Sequence, residues 1–259
     1  MSIINMLPQG EGSSKIKLVS WAAGTNEEID ALLTAAQAGT VDLYEDAGWR
    51  VGDERQVALS AMSATGVGES HVAQTVTMVL VNKGGKYTSN GTECSFIMQP
   101  KNMLANGTER EGGYMNSTNT NVGGWTSCAR RTWCNNVYKA ALPAYLRSHL
   151  LQVANLTSAG NQSTTINTDY DYCALPSAIE VGQRATDSPY SSEGSQWSYY
   201  TDDASRIKYA GDSGTSGLTW WLRSPYTINS THVCYVSNTG TASAINTGTA
   251  YGLAPFCCI

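Results

Sequence analysis

The sequence of 259 residues predicts an α+β fold with short helices, small antiparallel sheets and long loops. Only 14% of the residues are charged, whereas Gly, Ser, Thr and Asn are abundant, which is typical of a loop-rich fold. Helical periodicity is confined to two stretches of the chain. The other apolar segments are short and end at Gly-containing turns, as expected for strands of small antiparallel sheets.

Residues 26–38 are predicted to form the first helix. Thr25 and Glu28 have the spacing of a capping box, in which each side chain binds the backbone N–H of the other residue. Ile29 begins an apolar series at helical spacing, and Gly39 stops the helix.

Strands are predicted over residues 49–53 and 55–62, which alternate between apolar and polar residues, and over residues 75–81, which are rich in β-branched residues. The helical pattern returns near residues 130–151. Pro143 marks either a break or the first turn of a new helix, so we expect two short helices there.

The remaining segments have the composition of loops and hairpins. Residues 157–168 and 185–217 are rich in Ser, Thr, Gly, Asn and Asp and are predicted to be long loops. Residues 172–181, between them, are predicted to include a buried strand followed by a turn. At the end of the chain, residues 218–259 contain short apolar segments separated by Gly-rich turns, a pattern that favours hairpins.

The charge distribution excludes some classes of partner. The formal net charge is -5 and no cluster of Lys or Arg occurs, so the attraction that drives binding to nucleic acid or to an anionic membrane is missing. The start of the chain lacks the pattern of a signal peptide, and no run of 18 apolar residues occurs. We therefore expect a soluble protein that is made in the cytoplasm without membrane insertion.

The seven cysteines have no CxxC spacing, and their odd number leaves at least one without a partner in the same chain. We expect them to be reduced and mostly buried. They are Cys94, Cys128, Cys134, Cys173, Cys234, Cys257 and Cys258.

Three tryptophan-containing segments distinguish the sequence: Trp49-Arg50-Val51-Gly52-Asp53, then Gly124-Trp125 to Trp133-Cys134-Asn135, then Trp220-Trp221-Leu222-Arg223-Ser224-Pro225 with Gly252-Leu253-Ala254-Pro255-Phe256. Together they resemble a family of uncharacterised domains found among virion structural proteins of phages and prophages of Gram-positive gut bacteria. The resemblance extends from about residue 40 to the end of the chain.

Members of that family are similar to the formylglycine-generating-enzyme type of C-type-lectin fold, which variable proteins of diversity-generating retroelements also use. In such proteins adenine-directed mutagenesis rewrites the C-terminal part of the fold, and the altered side chains bind ligand. The resemblance implies an N-terminal extension or assembly segment over residues 1–40 and a C-type-lectin-like domain over residues 41–259. It places a variable region at about residues 220–259.

The composition of the C-terminal segment agrees with that implication. Residues 224–259 contain no Asp, Glu, Lys or Arg and are rich in Asn, Ser, Thr and Tyr. Replacing adenines in Asn codons gives such residues, and antibody-like binding surfaces favour them. The candidate ligand-binding residues are Tyr226, Thr227, Ile228, Asn229, Ser230, Thr231, His232, Tyr235, Ser237, Asn238, Thr239, Thr241, Ser243, Ile245, Asn246, Thr247, Thr249 and Tyr251.

An ordinary solvent-facing hairpin would have a similar composition, so the segment alone leaves both interpretations open. The tryptophans and arginines of the three segments are expected to be core residues and buried hydrogen-bond donors rather than ligand contacts. They are Trp125, Arg130, Trp133, Trp220 and Arg223.

No constellation of catalytic residues stands out. Asp169 and Asp171 could be paired acids, but their alternation with tyrosines also fits a strand with one solvated face, which we favour. His71, His149 and His232 lack the spacing of a zinc site. We expect a non-enzymatic protein without cofactor or metal.

The predicted function is that of a tail-associated virion protein that binds a host-surface protein or glycan and is diversified by a retroelement. Its other partners would be further phage virion proteins, and a homo-oligomer is compatible with this role. Two alternatives stay open: a purely structural virion component without a diversified site, and a cell-envelope glycan hydrolase that uses Asp169 or Asp171.

Overall fold

The computed structural model describes residues 16–105, 113–183 and 189–259. In these residues the helices are short: α1 Asn26–Gln37, α2 Ala129–Trp133, α3 Lys139–Ala141, α4 Ala144–Arg147 and α5 Asp203–Arg206. A π-helical turn over Cys134–Tyr138 joins α2 to α3, and a 3-10 turn covers Tyr190–Ser192. None of the helices in these ranges has the length and apolar character needed to cross a membrane.

The strands of the described residues form small antiparallel sheets, which confirms the predicted α+β class. A five-stranded sheet has the order β1-β2-β3-β12-β6, a three-stranded sheet has the order β11-β10-β9, and β4-β5 and β7-β8 form two-stranded sheets. The strands are β1 Glu54–Leu59, β2 Gln74–Lys83, β3 Phe96–Pro100, β4 Val153–Ser158, β5 Ile166–Asp171, β6 Cys173–Ala174, β7 Lys208–Tyr209, β8 Gly217–Leu218, β9 Trp220–Pro225, β10 His232–Val236, β11 Ala242–Asn246 and β12 Phe256–Cys258.

The C-terminal strand β12 lies inside the five-stranded sheet. It pairs with β3 on one side, where Cys257 is opposite Met98, and with β6 on the other, where Cys257 is opposite Cys173. Ile259 extends this pairing through backbone hydrogen bonds in both directions with Phe96. The end of the chain is therefore buried in the centre of the domain.

The predicted capping box and first helix are confirmed. The backbone N–H of Glu28 donates to Thr25 Oγ1 at 3.3 Å, and the backbone N–H of Thr25 donates to Glu28 Oε2 at 2.9 Å. Ile29 is fully buried in the same hydrophobic core as the sheets, as is Trp21, whose ring lies 5.0 Å from that of Trp49. One hydrophobic core thus includes residues on both sides of residue 40. The division into an extension over residues 1–40 and a domain over residues 41–259 stays a prediction.

The strand predicted over residues 49–53 is wrong, because these residues form a tight turn. The backbone N–H of Arg50 donates to Asp53 Oδ2 at 2.8 Å, and the backbone N–H of Asp53 donates to Arg50 O at 3.0 Å. Gly52 has a φ of 94°, which a strand residue does not adopt. Strand β1 begins only after this turn.

The broken helix near residues 130–151 is confirmed. Leu142 is extended and ends α3, and Pro143 is the N-cap of α4. Residues 157–168, predicted to be a loop, instead include the end of β4, the start of β5 and the hairpin turn between them. Asn161 and Gln162 both have positive φ in that turn, at 51° and 61°. The polar composition predicted the turn correctly, but it did not show that the ends of β4 and β5 extend into this stretch.

All seven cysteines are buried and none is in a disulfide, as expected from the sequence. They are distributed through the core rather than held at one surface site, and two of them, Cys257 and Cys258, lie in the buried strand β12.

Candidate ligand-binding surface

The predicted ligand-binding residues lie on and around the three-stranded sheet. Strand β10 pairs antiparallel with both neighbours, so that Tyr235 stands opposite Trp221 on β9 and Ser243 on β11. Because residues 224–259 contain no Asp, Glu, Lys or Arg, a ligand meets uncharged hydroxyl, amide, imidazole, aromatic and aliphatic groups from this segment. Recognition here would depend on hydrogen bonds and apolar contact rather than on charge.

Half-buried aromatic rings form two contacts on this surface. The ring of Tyr226 stacks on that of His232 at a centroid distance of 6.2 Å. Tyr251 contacts Tyr235 at 5.1 Å and Trp221 at 5.0 Å. Since Trp221 is fully buried, Tyr251 joins the core to Tyr235 on the surface.

The loop between β9 and β10 is held by a residue from outside the segment. The Nδ2 group of Asn121 donates to Asn229 O at 2.8 Å and to His232 O at 2.6 Å, and its backbone N–H donates to Ser230 O at 2.7 Å. Asn121 itself is only 2% exposed. The loop backbone is therefore held by contacts that do not involve most of the loop side chains.

The candidate residues differ in exposure. Ile228 is 69% exposed, and Asn238, Thr239 and Thr241 are also exposed. Thr247 is fully buried, and its hydroxyl donates to Thr118 O at 3.2 Å, so it holds the hairpin instead of facing a ligand. The remaining candidates are intermediate: Tyr226, Thr227, Asn229, Ser230, Thr231, His232, Tyr235, Ser237, Ser243, Ile245, Asn246, Thr249 and Tyr251.

Some candidate side chains hold the turns of the segment. Asn246 Oδ1 accepts from the backbone N–H of Gly248 at 2.8 Å, and Ser237 Oγ accepts from that of Thr239 at 3.2 Å. At Gly240 φ is 86°, and a Cβ atom would lie 1.9 Å from Asp203 O, so the turn between β10 and β11 requires glycine. These positions fix the shape on which the exposed residues are displayed.

Below the surface, Arg223 of β9 is the centre of a buried ionic network. It donates to both carboxylate oxygens of Glu180, at 2.5 and 2.8 Å, and its Nε donates to Thr157 Oγ1 at 3.0 Å. Lys86 Nζ lies 2.5 Å from Glu180 Oε1. Burial acts to raise the pKa of Glu180, but the charges of Arg223 and Lys86 outweigh it and lower the pKa to about 2.

A second buried carboxylate, Glu193, adjoins this network. It accepts from the backbone N–H of Ser158 at 2.8 Å and from the hydroxyl of Ser224, the residue after Arg223. Burial raises the pKa of Glu193 to about 7. Both carboxylates line a cavity of about 300 Å³, and their oxygens are engaged by protein donors, so the network holds β9 in place.

The residues expected to form core rather than contact ligand are confirmed as buried. None is more than 2% exposed, and each tryptophan or arginine packs beneath or beside the sheets. The group consists of Trp125, Arg130, Trp133, Trp220 and Arg223.

The strand predicted from the alternation at Asp169 and Asp171 is confirmed as β5, but its solvated face carries Tyr170, and both aspartates are buried. Arg131 contacts Asp171 at 2.7 Å and Asp169 at 3.2 Å. Trp125 Nε1 also donates to Asp171, at 2.9 Å. These acids are thus members of an ion pair that joins β5 to α2.

The three histidines have separate environments. His149 lies between Asp30 and Gln37, at 2.9 and 3.0 Å, whereas His71 is buried beside Ala105 O at 3.0 Å. His232 stacks on the aromatic surface described above. Across residues 16–105, 113–183 and 189–259, no group of three or more His, Cys, Asp or Glu side chains is arranged to hold a metal ion.

Comparison with known families gives one match. Residues 76–259 match the family described as a domain of unknown function, DUF6273. The chain belongs to the DUF6273 family. No curated protein and no solved structure matches the chain. The DUF6273 match begins within β2 and includes the three-stranded sheet, Asn121 and the buried ionic network, whereas α1 and β1 precede it.

Sequence reasoning missed two supports of this DUF6273 surface. Asn121 precedes Gly123 and Gly124, whose φ values of 84° and 58° make a turn, so its position in a turn was readable from the glycines. Its partners lie 108 and 111 residues further along the chain and have no local signal. Glu180 lies in the stretch predicted to be a buried strand followed by a turn, and Glu193 lies in a stretch predicted to be a long loop, so neither was singled out.

Asn121→Ala should loosen the loop at residues 226–232. Three hydrogen bonds hold this loop to Asn121, and the substitution removes the two made by the side chain, which should cost about 2 kcal/mol of unfolding free energy. Backbone amide exchange in the loop should accelerate while the five-stranded sheet stays protected. Asn238→Ala, at an exposed turn position, is the control and should change neither quantity. Uniform acceleration across the domain would show that Asn121 acts on the whole fold.

Proposed function

We propose that this DUF6273 protein is a non-enzymatic ligand-binding protein and that residues 226–251 form its recognition surface. The observation that supports this most directly is the separation of roles within the segment. Its exposed side chains are uncharged, and most of its exposed and half-buried side chains are polar or aromatic, with Ile228 as an exposed aliphatic one. The buried Asn121 holds the loop between β9 and β10, and the buried Arg223 anchors β9, the strand that precedes this loop. A binding surface that tolerates sequence change needs this arrangement.

The chemistry of the surface suits protein or glycan ligands. Half-buried tyrosines offer large amphipathic area at low entropic cost, and Ser, Thr and Asn offer adaptable hydrogen bonds. The buried Trp221 contacts the ring of Tyr251, and Tyr251 contacts that of Tyr235, so packing restricts the motion of both tyrosine rings before a ligand arrives. Such preorganisation lowers the cost of binding.

The proposal includes a C-type-lectin-like identity for the domain, with the surface diversified as in the variable proteins of retroelements. In this proposal the protein is mounted on a phage tail, beside other virion proteins, and its ligand is a host-surface protein or glycan. Several copies on one particle, or a homo-oligomer, would convert weak single contacts into firm attachment. The uncharged, turn-rich segment on a buried scaffold is the feature that supports it.

The surface can be tested with Ile228→Asp and Tyr235→Ala. Fluorescently labelled protein would be measured for adsorption to cells of candidate Gram-positive hosts and to a glycan array. Each substitution should reduce adsorption about fivefold or more, because a central contact is typically worth over about 1 kcal/mol. Ile228 is 69% exposed, so its replacement should leave the unfolding midpoint unchanged.

The matched control is Val72→Asp, which adds the same charge at a residue 56% exposed and outside the surface. It should bind like the wild type. Wild-type adsorption by folded Ile228→Asp and Tyr235→Ala proteins would refute the assignment of the site. A surface that is covered in the assembled particle would instead indicate the purely structural role.

The diversification has its own test in the DNA around the gene. We expect a reverse-transcriptase gene nearby and a second copy of the codons for residues 226–251 that differs almost only at adenines. If neither is present, the retroelement part of the proposal fails, while ligand binding by a fixed surface is still decided by the adsorption experiment.

A further inference from the structure

Four cysteines meet at the C-terminal strand β12. Cys257 and Cys258 are consecutive strand residues, so their side chains project from opposite faces of the sheet. On one face, Cys257 Sγ lies 2.7 Å from Cys173 Sγ. On the other, Cys258 has the largest effect on the pKa of Cys94, which it lowers, so these two thiols are neighbours.

The backbone geometry of Cys173 and Cys257 suits a covalent bond. Cys173 and Cys257 are directly opposite in antiparallel strands, where Cα atoms are separated by about 4.5 or 5.5 Å. Disulfides span Cα distances of about 4.4 to 6.8 Å. Cys94 is brought beside Cys258 by the next residues of each segment, since the backbone N–H of Ser95 donates to Ile259 O at 2.7 Å.

We propose that Cys94–Cys258 and Cys173–Cys257 are two oxidisable pairs whose disulfides fasten β12 to the core from both faces of the sheet. This inference is independent of the proposed ligand-binding function. It assigns a covalent modification to four of the seven buried thiols and leaves Cys128, Cys134 and Cys234 reduced.

Cys94 is the point of entry for an oxidant. It lines a cavity of about 580 Å³ together with Lys83 and Glu93, whereas none of the other three thiols lines that cavity. The neighbouring Cys258 lowers the pKa of Cys94, while burial raises the pKa of Cys258. Cys94 is therefore the thiol of this pair that ionises first and attacks.

The reaction with a small disulfide such as oxidised glutathione balances as follows. The Cys94 thiolate attacks one sulfur, forms a mixed disulfide and releases one glutathione thiolate. Cys258 then gives up its proton and attacks Cys94 Sγ, which releases the second glutathione. Two protein thiols are oxidised and one glutathione disulfide is reduced to two thiols. Cys173 and Cys257 follow the same stoichiometry, but burial raises the pKa of both, so their reaction is slower.

Oxidation should make the attachment of β12 to the core more resistant to unfolding. A bond between Cys173 and Cys257 closes a loop of 84 residues in the unfolded chain. Cross-linking over such a distance restricts the unfolded ensemble and raises resistance to denaturation. The two disulfides would be absent in a reducing cytoplasm and would form when the protein enters oxidising surroundings.

The test uses the full-length protein, folded, in buffers containing oxidised glutathione. At set times the remaining thiols are alkylated under denaturing conditions, and intact mass and peptide maps are recorded. We expect two disulfides, Cys94–Cys258 forming at least about tenfold faster than Cys173–Cys257, because thiolate fraction and access govern the rate. The urea midpoint should rise as each bond forms and return on reduction.

Cys94→Ser should abolish the fast bond and leave the slow one. The control Cys128→Ser removes a buried thiol that donates to Met115 O at 3.2 Å, and it should leave both bonds. The proposal is overturned if the wild-type protein stays fully reduced, or if peptide maps show other pairings such as Cys134–Cys173. Since these readouts need only the wild-type chain, a variant that fails to fold does not weaken the test.

Discussion

Arg223→Met should lower the free energy of unfolding by about 3–5 kcal/mol, as expected when one partner of a buried ion pair is removed. The arginine is 1% exposed and donates to Glu180, Thr157 Oγ1 and the backbone oxygens of Leu175 and Leu156. Without it Thr157 Oγ1 and Leu175 O lose a buried donor, and Glu180 keeps only the backbone N–H of Ser177 and Lys86 as partners. A loss of this size is a large fraction of the stability of a typical domain. Urea unfolding monitored by tryptophan fluorescence measures it.

Two further variants separate the causes of that loss. Arg223→Lys keeps the positive charge but not the planar fork that binds both oxygens of Glu180, so it should be destabilising to an intermediate degree. Arg147→Met replaces an exposed arginine that donates to Ala140 O and Leu142 O, and it should cost about 1 kcal/mol or less. If Arg223→Met is as mild as Arg147→Met, the network does not hold β9 in place.

Local signals in the sequence were sufficient for α1 and for the break between α3 and α4, whereas α5 lies within residues predicted to be a long loop. The capping box at Thr25 and Glu28 and the break at Pro143 both depend on residues within four positions of each other, and both are present in the structure. The failure at residues 49–53 is also local. There Asp53 binds the backbone of Arg50, a turn contact that alternation of apolar and polar residues does not reveal.

Sheet order could not be predicted in the same way. Strand β12 has three residues and pairs with β3 and β6, whose positions in the chain are distant from it. Register between such strands depends on packing of the whole core rather than on the sequence of either strand. The burial of Cys257 and Cys258 is consequently a result of topology.

The composition of the candidate surface could be predicted from the sequence, but the residues that hold its backbone in place could not. The absence of Asp, Glu, Lys and Arg from residues 224–259 is visible in the sequence, whereas the hold of Asn121 on the loop is not. Thr247 shows that composition does not identify the exposed residues: it is a polar residue like its neighbours, but its side chain is fully buried. A period-2 pattern assigns faces only where strands are regular, and β10 has a register shift between Val233 and Tyr235.

The ionic network connects the core to the surface. Arg223 and Ser224 belong to β9, the edge strand of the three-stranded sheet, and Tyr226 follows that strand directly. Glu180 accepts hydrogen bonds from Arg223, and Glu193 accepts one from the hydroxyl of Ser224. A change of charge on either carboxylate should therefore change the stability of β9, the strand that leads into the surface.

Glu193 should make the protein less stable as pH rises from about 4.5 to about 7. Its pKa is about 4.5 in the unfolded chain and about 7 in the folded protein, because burial disfavours the carboxylate. A raised pKa in the folded state means that the unfolded state loses its proton first, so stability is full below about 4.5 and is lost as pH rises through about 7. The difference corresponds to about 3 kcal/mol. Glu180 acts in a different window, since its lowered pKa gives stability that is lost as pH falls from about 4.5 towards about 2.

Glu193→Gln isolates this contribution. The amide oxygen can still accept from the N–H of Ser158, and the amide nitrogen can donate to Ser224 Oγ, so the packing is kept while the titration is removed. Urea unfolding at about pH 5 and about pH 8 should show that the variant gains about 3 kcal/mol relative to the wild type at the higher pH and little at the lower one. Glu27→Gln, at an exposed position of α1, should follow the wild-type profile. Parallel profiles for the wild type and Glu193→Gln would mean that Glu193 remains ionised in the folded protein, held by Arg223 nearby.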